Sequence, residues 1–463
     1  MYKTMFHTDP NTDGRFLSLT QCRALVDRIV AMTSGGGLTR VEINSSWVNN
    51  LRWARNAIAT GGETQQSTIR VTREIRRAHG TAETNALTDD ALRVCVERAE
   101  SLFVYQFEYP DTYPDPIPEV HPHARPELWF DRTVIADEPL RAATVDRMIA
   151  PAETANLMSA GYLEVAACGR AFVTSDGVFR YYPYTTAQLS LTVRGPRGDA
   201  SGWAGVDWND MARIDPQALA TIALDKCQRS RNPVAIEPGR YTAILEPQAV
   251  CDLVSPLVSL ALSRPMAEQG MGPFADPQRS GYSRLGQRVI DPRLTLSADP
   301  MDPDCGFVPF DGEGEPYQAV EWIRQGVLTA LAYPRSYGLT QLGNDAALPN
   351  SSAFHLSGGT TTLDEMIAAT PRGILVARLN NVRVIDLNSM LMNGNTRDGL
   401  WLIERGKITK SIKNLRFTES PMFILNNVEA LGRPQRAFHP QAPAVVPPIM
   451  VRDFSFTGLI DAV

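Results

Sequence analysis

Near residue 231 the chain changes texture, and that change restricts what it can fold into more than any other feature. Before it, stretches with a helical period alternate with strand-like stretches. From Pro233 onward glycine, proline and β-forming residues dominate and helices become rare. Many short strands broken by turns suit a mostly antiparallel β domain, whereas the earlier mixture suits an α+β arrangement. At 463 residues the chain is also too long for one ordinary core. The fold class expected is therefore α+β, with an N-terminal α+β domain over 1–230 and a large, mostly antiparallel β domain over 231–463.

In the first half, Ser18 or Thr20 caps a helix carrying Leu25, Val26, Ile29 and Val30 at a period near 3.6. Val41, Ile43, Ser45 and Trp47 alternate, as do Leu51 and Trp53, which predicts a strand pair turning at Asn49-Asn50. A further strand is expected over 68–75. Residues 91–103 read as a helix behind Asp89 and Asp90, with Leu92, Cys95, Val96, Ala99 and Leu102 on one face. The connector YPDTYPDPIPEVHPHARP holds too much proline for regular structure. Residues 140–160 read as helix, 162–193 as a hairpin around Ser175-Asp176-Gly177, and Asp215-Pro216 opens a helix running to about Arg229. In the second half helices are expected only over 246–263, 362–369 and near Leu425.

Charge removes several function classes. A net charge of −6 leaves no basic stripe for a phosphate backbone, so nucleic acid is not an expected partner. No run approaches the roughly 20 apolar residues that span a bilayer, so no membrane association is expected. The opening MYKTMFHTDPNTDGRF is polar and lacks the apolar core of a secretion signal, so a cytoplasmic protein is expected. The six cysteines show no Cys-x-x-Cys spacing and read as reduced, structural thiols.

The search for chemistry is mostly negative. Gly35-Gly36-Gly37 lacks the spacing of a phosphate-binding loop, and no Gly-x-Ser-x-Gly elbow is present. No histidine is followed by glutamate, and the one close pair, His121 and His123, lies in the proline-rich connector. Asp299, Asp302, Asp304, Asp311, Glu313 and Glu315 sit among prolines and glycines, where aspartates cap turn amides. The segment 393–399, with Asn-Gly and Asp-Gly, reads as a turn between two apolar strands that exposes Arg397.

Taken in order, several C-terminal pieces carry a resemblance. They are Glu237-Pro238-Gly239-Arg240-Tyr241, Ser283-Arg284-Leu285-Gly286-Gln287, Phe310-Asp311-Gly312-Glu313-Gly314 and Ile323-Arg324-Gln325-Gly326-Val327-Leu328. Gly359-Thr360-Thr361-Thr362, Arg372-Gly373-Ile374-Leu375-Val376 and Trp401-Leu402-Ile403-Glu404-Arg405-Gly406-Lys407-Ile408 follow. In this order they resemble the TldD/PmbA family, the modulator-of-gyrase or TldD/TldE peptidases. The resemblance runs through the whole chain in outline and is strong from about residue 235.

The resemblance implies two-chain assemblies enclosing a cavity. It also implies that the catalytic subunit holds zinc through a helix with His-Glu-x-x-x-His and a later cysteine. The helix corresponding here, Ala249-Val250-Cys251-Asp252-Leu253-Val254-Ser255-Pro256-Leu257-Val258-Ser259-Leu260, contains no histidine. The stretch 433–443, where the cysteine would fall, has His439 and no cysteine. The chain thus resembles the metal-lacking TldE/PmbA side. It is expected to carry no cofactor and no catalytic residue, with zinc in a TldD-like partner. Heterodimer formation with that partner, homodimer formation when alone, and peptide substrates follow from the same resemblance. Thr396, Arg397, Asp398 and His439 are the candidate substrate or partner contacts. The alternative is a pathway-specific relative that helps hydrolyse a peptide or amide natural product, or a metal-free binding module.

Overall fold

The computed structural model describes residues 14–75, 78–102, 104–105 and 126–460. His121, His123 and most of the proline-rich connector lie outside the described residues.

The N-terminal half is one antiparallel sheet with helices on one face. Its strands are β1 (Leu38–Ala54), β2 (Ala57–Ile75), β3 (Ala78–Thr84), β4 (Val104–Tyr105), β5 (Met158–Thr174), β6 (Phe179–Arg194) and β7 (Ser201–Trp208), in the order β4-β3-β2-β1-β5-β6-β7. The helices are α1 (Leu19–Met32), α2 (Asp89–Ser101), α3 (Asp131–Val134), α4 (Glu138–Thr154) and α5 (Pro216–Arg229). Ser18 caps α1 in a reciprocal capping box with Gln21. Asp215 caps α5 through the amide of Ala218.

Strand alternation then decides which side chains meet these helices. Odd-numbered β1 residues (Val41, Ile43, Trp47, Leu51, Trp53) join Leu163, Val165, Leu189 and Leu191 in a buried cluster with the helices. Even-numbered residues face the other way. The hairpin expected around Ser175-Asp176-Gly177 is present with continuous register.

The C-terminal half carries two further sheets. One runs β11 (Val327–Leu328), β10 (Val320–Arg324), β9 (Leu296–Ala298), β12 (Phe354–Leu356), β19 (Ala444–Val446), β18 (Gln435–Ala437). The other contains β8 (Gly239–Leu245), β13 (Arg372–Asp386), β14 (Leu391–Glu404), β15 (Lys407–Ser411), β16 (Leu415–Glu419), β17 (Val428–Leu431) and β20 (Ile449–Leu459). Its pairings run β13-β8-β20-β16-β14 and return from β14 to β13, so the strands form a closed ring. Among the strands of the described residues, β8–β13 and β12–β19 are the parallel pairs. Helix α6 (Pro247–Ala261) is embedded in this half's core, with Ala249, Val250, Cys251, Leu253, Val254, Leu257 and Val258 all buried. This is the expected α+β class with mostly antiparallel sheets.

Three expectations fail at particular backbone positions. β1 does not turn at Asn49-Asn50. It runs on to Ala54, because Trp47, Asn49, Leu51 and Trp53 keep one alternation phase, and the turn falls at Arg55-Asn56, both at positive φ. Helix α4 stops at Thr154, and β5 has begun by Met158, so the helix does not reach residue 160. Residues 393–399 are not a turn but the middle of β14. There Asp398 (φ 55°) and Gly399 (φ 143°) oppose the single residue Ala377, which makes a β-bulge. The Asp-Gly pair supplies its positive φ to a bulge, and Thr396 and Asp398 are consequently buried.

A Cβ at Gly399 would lie 2.3 Å from the Trp401 ring and 2.9 Å from the Ala377 methyl. Gly399→Ala is therefore expected to lower stability in urea denaturation by about 2–4 kcal/mol. Gly458→Ala, where an added Cβ meets nothing within 4 Å, should stay within about 0.5 kcal/mol of the parent.

Candidate functional site

Two polar side chains on α6 organise the centre of the molecule. Gln248 and Asp252 lie one turn apart, and Gln248 Nε2 donates to Asp252 Oδ1 at 2.8 Å. The other Asp252 oxygen accepts the Leu379 amide at 2.9 Å. Gln248 also pairs with both main-chain groups of Phe438, its Oε1 accepting from the amide (3.0 Å) and its Nε2 donating to the carbonyl (3.2 Å). The helix thereby grips the 433–443 stretch at the point where that stretch passes.

β7 holds the same stretch from the other side. Asp207 accepts the His439 amide at 2.7 Å and Arg436 Nη2 at 2.6 Å. Arg436 also donates to the Asp304 carbonyl at 2.7 Å. Trp208 lies between Arg213 (3.6 Å) and Arg436 (4.8 Å). The Phe438 ring meets Trp203 edge-on at 5.7 Å, and the Arg378 guanidinium lies 4.3 Å over Trp203.

These contacts wall a cavity of about 590 Å³ between the second face of the N-terminal sheet and segments 306–308 and 440–443. Its floor follows from strand register. Asn50, Glu164, Gln188 and Asp207 stand side by side on β1, β5, β6 and β7. Val48, Ala166 and Thr186 form the next row, then Ser46, Cys168 and Tyr184. Burial raises the Cys168 thiol to about 12, so it stays protonated at neutral pH.

Among the described residues no group of three or more histidine, cysteine, aspartate or glutamate side chains is arranged to hold a metal ion. The donor chemistry on α6 agrees with this. Cys251 is buried with its Sγ 3.5 Å from Ser255 Oγ, and burial pushes its thiol well above the ordinary range, against the thiolate a metal requires. Asp252 is already occupied by Gln248 and Leu379. His439 Nδ1 is engaged with the Ala442 carbonyl. These residues do not fit a zinc site.

The four residues named from sequence separate in space. His439 adjoins the segment 440–443 that walls the cavity but is not itself part of the lining. Thr396 is buried, accepting the Leu415 amide at 2.9 Å and donating to Asn414 at 3.1 Å. Asp398 accepts from Ser201 at 2.9 Å across the two halves and lies 3.5 Å from Arg378 and 3.7 Å from Arg397. None of Thr396, Arg397 and Asp398 lines the cavity. Sequence reasoning passed over Gln248, Asp207, Arg436, Glu164 and Gln188. A signal existed for Glu164 and Gln188, since their hairpin alternates polar and apolar residues, but nothing marked which polar face would be enclosed.

Residues 238–458 match the family model of the PmbA/TldA metallopeptidase C-terminal domain. The C-terminal half thus carries a domain of the TldD/PmbA family. A metalloprotease of Methanothermobacter thermautotrophicus is 22% identical over 232 residues, covering 48% of this chain and 49% of that protein. A metalloprotease TldD homolog of Haemophilus influenzae is 25% identical over 161 residues, covering 32% of this chain and 33% of that protein. The chain thus spans at most about half the length of these curated relatives. Similarity of fold extends further. A Thermotoga maritima protein described as a modulator of a DNA gyrase superposes with a TM-score of 0.80 at 14% identity, over 94% of this chain and 100% of that one. TldE from Thermococcus kodakarensis superposes with a TM-score of 0.78 at 16% identity, with the same coverage.

Desolvation raises the Asp252 carboxyl to about 6, opposed by Arg378 and by the bonds from Gln248 and Leu379. Between about pH 4 and pH 6 the folded chain therefore holds a proton that the unfolded chain releases, and stability falls as the pH rises through that window. Unfolding free energies from pH 4 to 7 should show the parent losing stability relative to Asp252→Asn. Separately, Gln248→Ala leaves both Phe438 main-chain groups unpaired and should destabilise by about 1–3 kcal/mol. Its amide exchange should accelerate first around 435–443.

Proposed function

We propose that this chain is the non-catalytic, TldE/PmbA-like subunit of a two-chain zinc metallopeptidase acting in the cytoplasm on small or unfolded peptides. The observation that carries this reading is the chemistry of α6. On this reading α6 is the helix that would bear the ligands; it is buried, Gln248 on it grips the 433–443 stretch, and Asp252 is taken up by Gln248 and Leu379. On this reading the zinc resides in a TldD-like partner, and this chain completes the chamber.

The open edge of β2 supports a substrate-holding role. β3 pairs with β2 only along Ile69–Ile75, so residues 57–68 keep a free edge among the described residues. Gln66 and Thr68 from this strand line the cavity. Such an edge binds an extended peptide through main-chain hydrogen bonds with little sequence preference. His439, next to the lining segment 440–443, is the proposed contact with substrate or partner. Thr396, Arg397 and Asp398 act on this reading through the junction they brace. Alone, the chain is expected to form a homodimer.

The test is co-expression with a zinc-bearing relative and assay on a quenched fluorescent peptide. The pair should cleave it in a zinc-dependent manner, while the purified chain alone should not. Metal-dependent hydrolysis by the chain alone would overturn the assignment.

A further inference from the structure

Four acidic or basic side chains line the cavity: Glu164, Arg170, Asp207 and Arg436. Three of them carry a counter-charge. Asp207 and Arg436 pair with each other at 2.6 Å, and Arg170 meets Glu42 at 3.1 Å, which Arg70 holds from the other side at 3.1 Å. Glu164 differs. Gln188 Nε2 donates to its Oε1 at 2.7 Å and the Tyr162 hydroxyl donates to its Oε2, both neutral donors. Arg52 lies 5.0 Å over the Tyr162 ring, and no ion pair to Glu164 forms among the described residues. Tyr162 is held protonated, its hydroxyl raised to about 12 by burial and then by the bond to Glu164.

The carboxylate is thus fixed in place without being neutralised. A carboxylate offers about four acceptor positions, and two are in use here. Its row on the sheet places it about 10 Å from Asp207, two strand spacings away, so it stands apart from the Asp207–Arg436 pair. A fixed carboxylate without a direct ion pair, lining a cavity, attracts a cation more strongly than it would in open water, even with Arg52 acting on the neighbouring Tyr162 hydroxyl.

We propose that Glu164, positioned by Gln188 and Tyr162, is the recognition group for a cationic nitrogen of the bound peptide, either its free α-ammonium or a lysine or arginine side chain. The inference rests on the peptide-chamber reading and names the class of peptide the chamber selects. Asp207 does not serve, because Arg436 already supplies its counter-charge.

The probes are three pentapeptide amides of alternating alanine and serine, titrated calorimetrically into the full-length chain. One has a free N-terminus, one is N-acetylated, and one is N-acetylated with a central lysine. The free-amine and lysine peptides should bind about tenfold or more tightly than the acetylated uncharged one. Glu164→Gln should abolish that difference while leaving the acetylated peptide's affinity unchanged. A purely structural Glu164 would instead weaken all three alike in the variant. Equal binding of the three by the parent chain, or a preference that survives in Glu164→Gln, overturns the proposal and leaves the peptide chamber standing. Failure of all three to bind overturns both.

Discussion

The pairing of Gln248 with the main chain of Phe438 is the contact on which the rest of the interior arrangement depends. It uses both ends of one amide side chain to fix a segment that has no sheet partner at that point. Once Phe438 is fixed, its ring reaches Trp203 and the following amide reaches Asp207, so this short stretch is one of the joints between the two halves, beside the Ser201–Asp398 and Lys226–Glu246 contacts. The cavity inherits its wall from this arrangement. A cavity wall built by main-chain capture is insensitive to the identity of the side chains it carries, provided the glutamine remains.

The same contact ties α6 to a distant part of the chain. A metal site ties a helix to a distant segment by coordination. Here the tie is made by hydrogen bonds among Asp252, Gln248, Phe438 and Leu379, inside a region otherwise packed with valine, leucine and alanine. Buried polar groups persist only when their partners are supplied, and each of these is supplied. The raised Asp252 carboxyl is the electrostatic expense of the arrangement.

Much of the fold was legible because alternation and capping are local. Ser18, Asp215 and the Ser175-Asp176-Gly177 turn each announced their element within a few residues. The failures came where identical residue chemistry serves two geometries. Asn49-Asn50 looked like a turn but continued a strand, since the flanking tryptophan and leucine kept phase. Asp398-Gly399 looked like a turn but formed a bulge, since positive φ satisfies both. The site was less legible than the fold. The absence of histidine from α6 and of cysteine from 433–443 could be read directly, whereas Glu164, Gln188 and Asp207 come together only through register between strands up to 43 residues apart in number.

The closed ring of strands in the C-terminal half has a kinetic meaning. The N-terminal sheet pairs mainly near neighbours in sequence, β1 with β2 and β5 with β6, so apart from the long-range β1–β5 pairing its order can be established early and locally. The ring cannot be. β8, at residues 239–245, finds its antiparallel partner only in β20, at residues 449–459, and β13 must already lie alongside β8 in parallel. Long-range pairing of this kind is slow because a large loop must close before any contact rewards it. Helix α6, threaded between β8 and the strands that complete the ring, therefore waits with its apolar sides unshielded until the last strand arrives. That interval is when this chain is most exposed to association with other molecules.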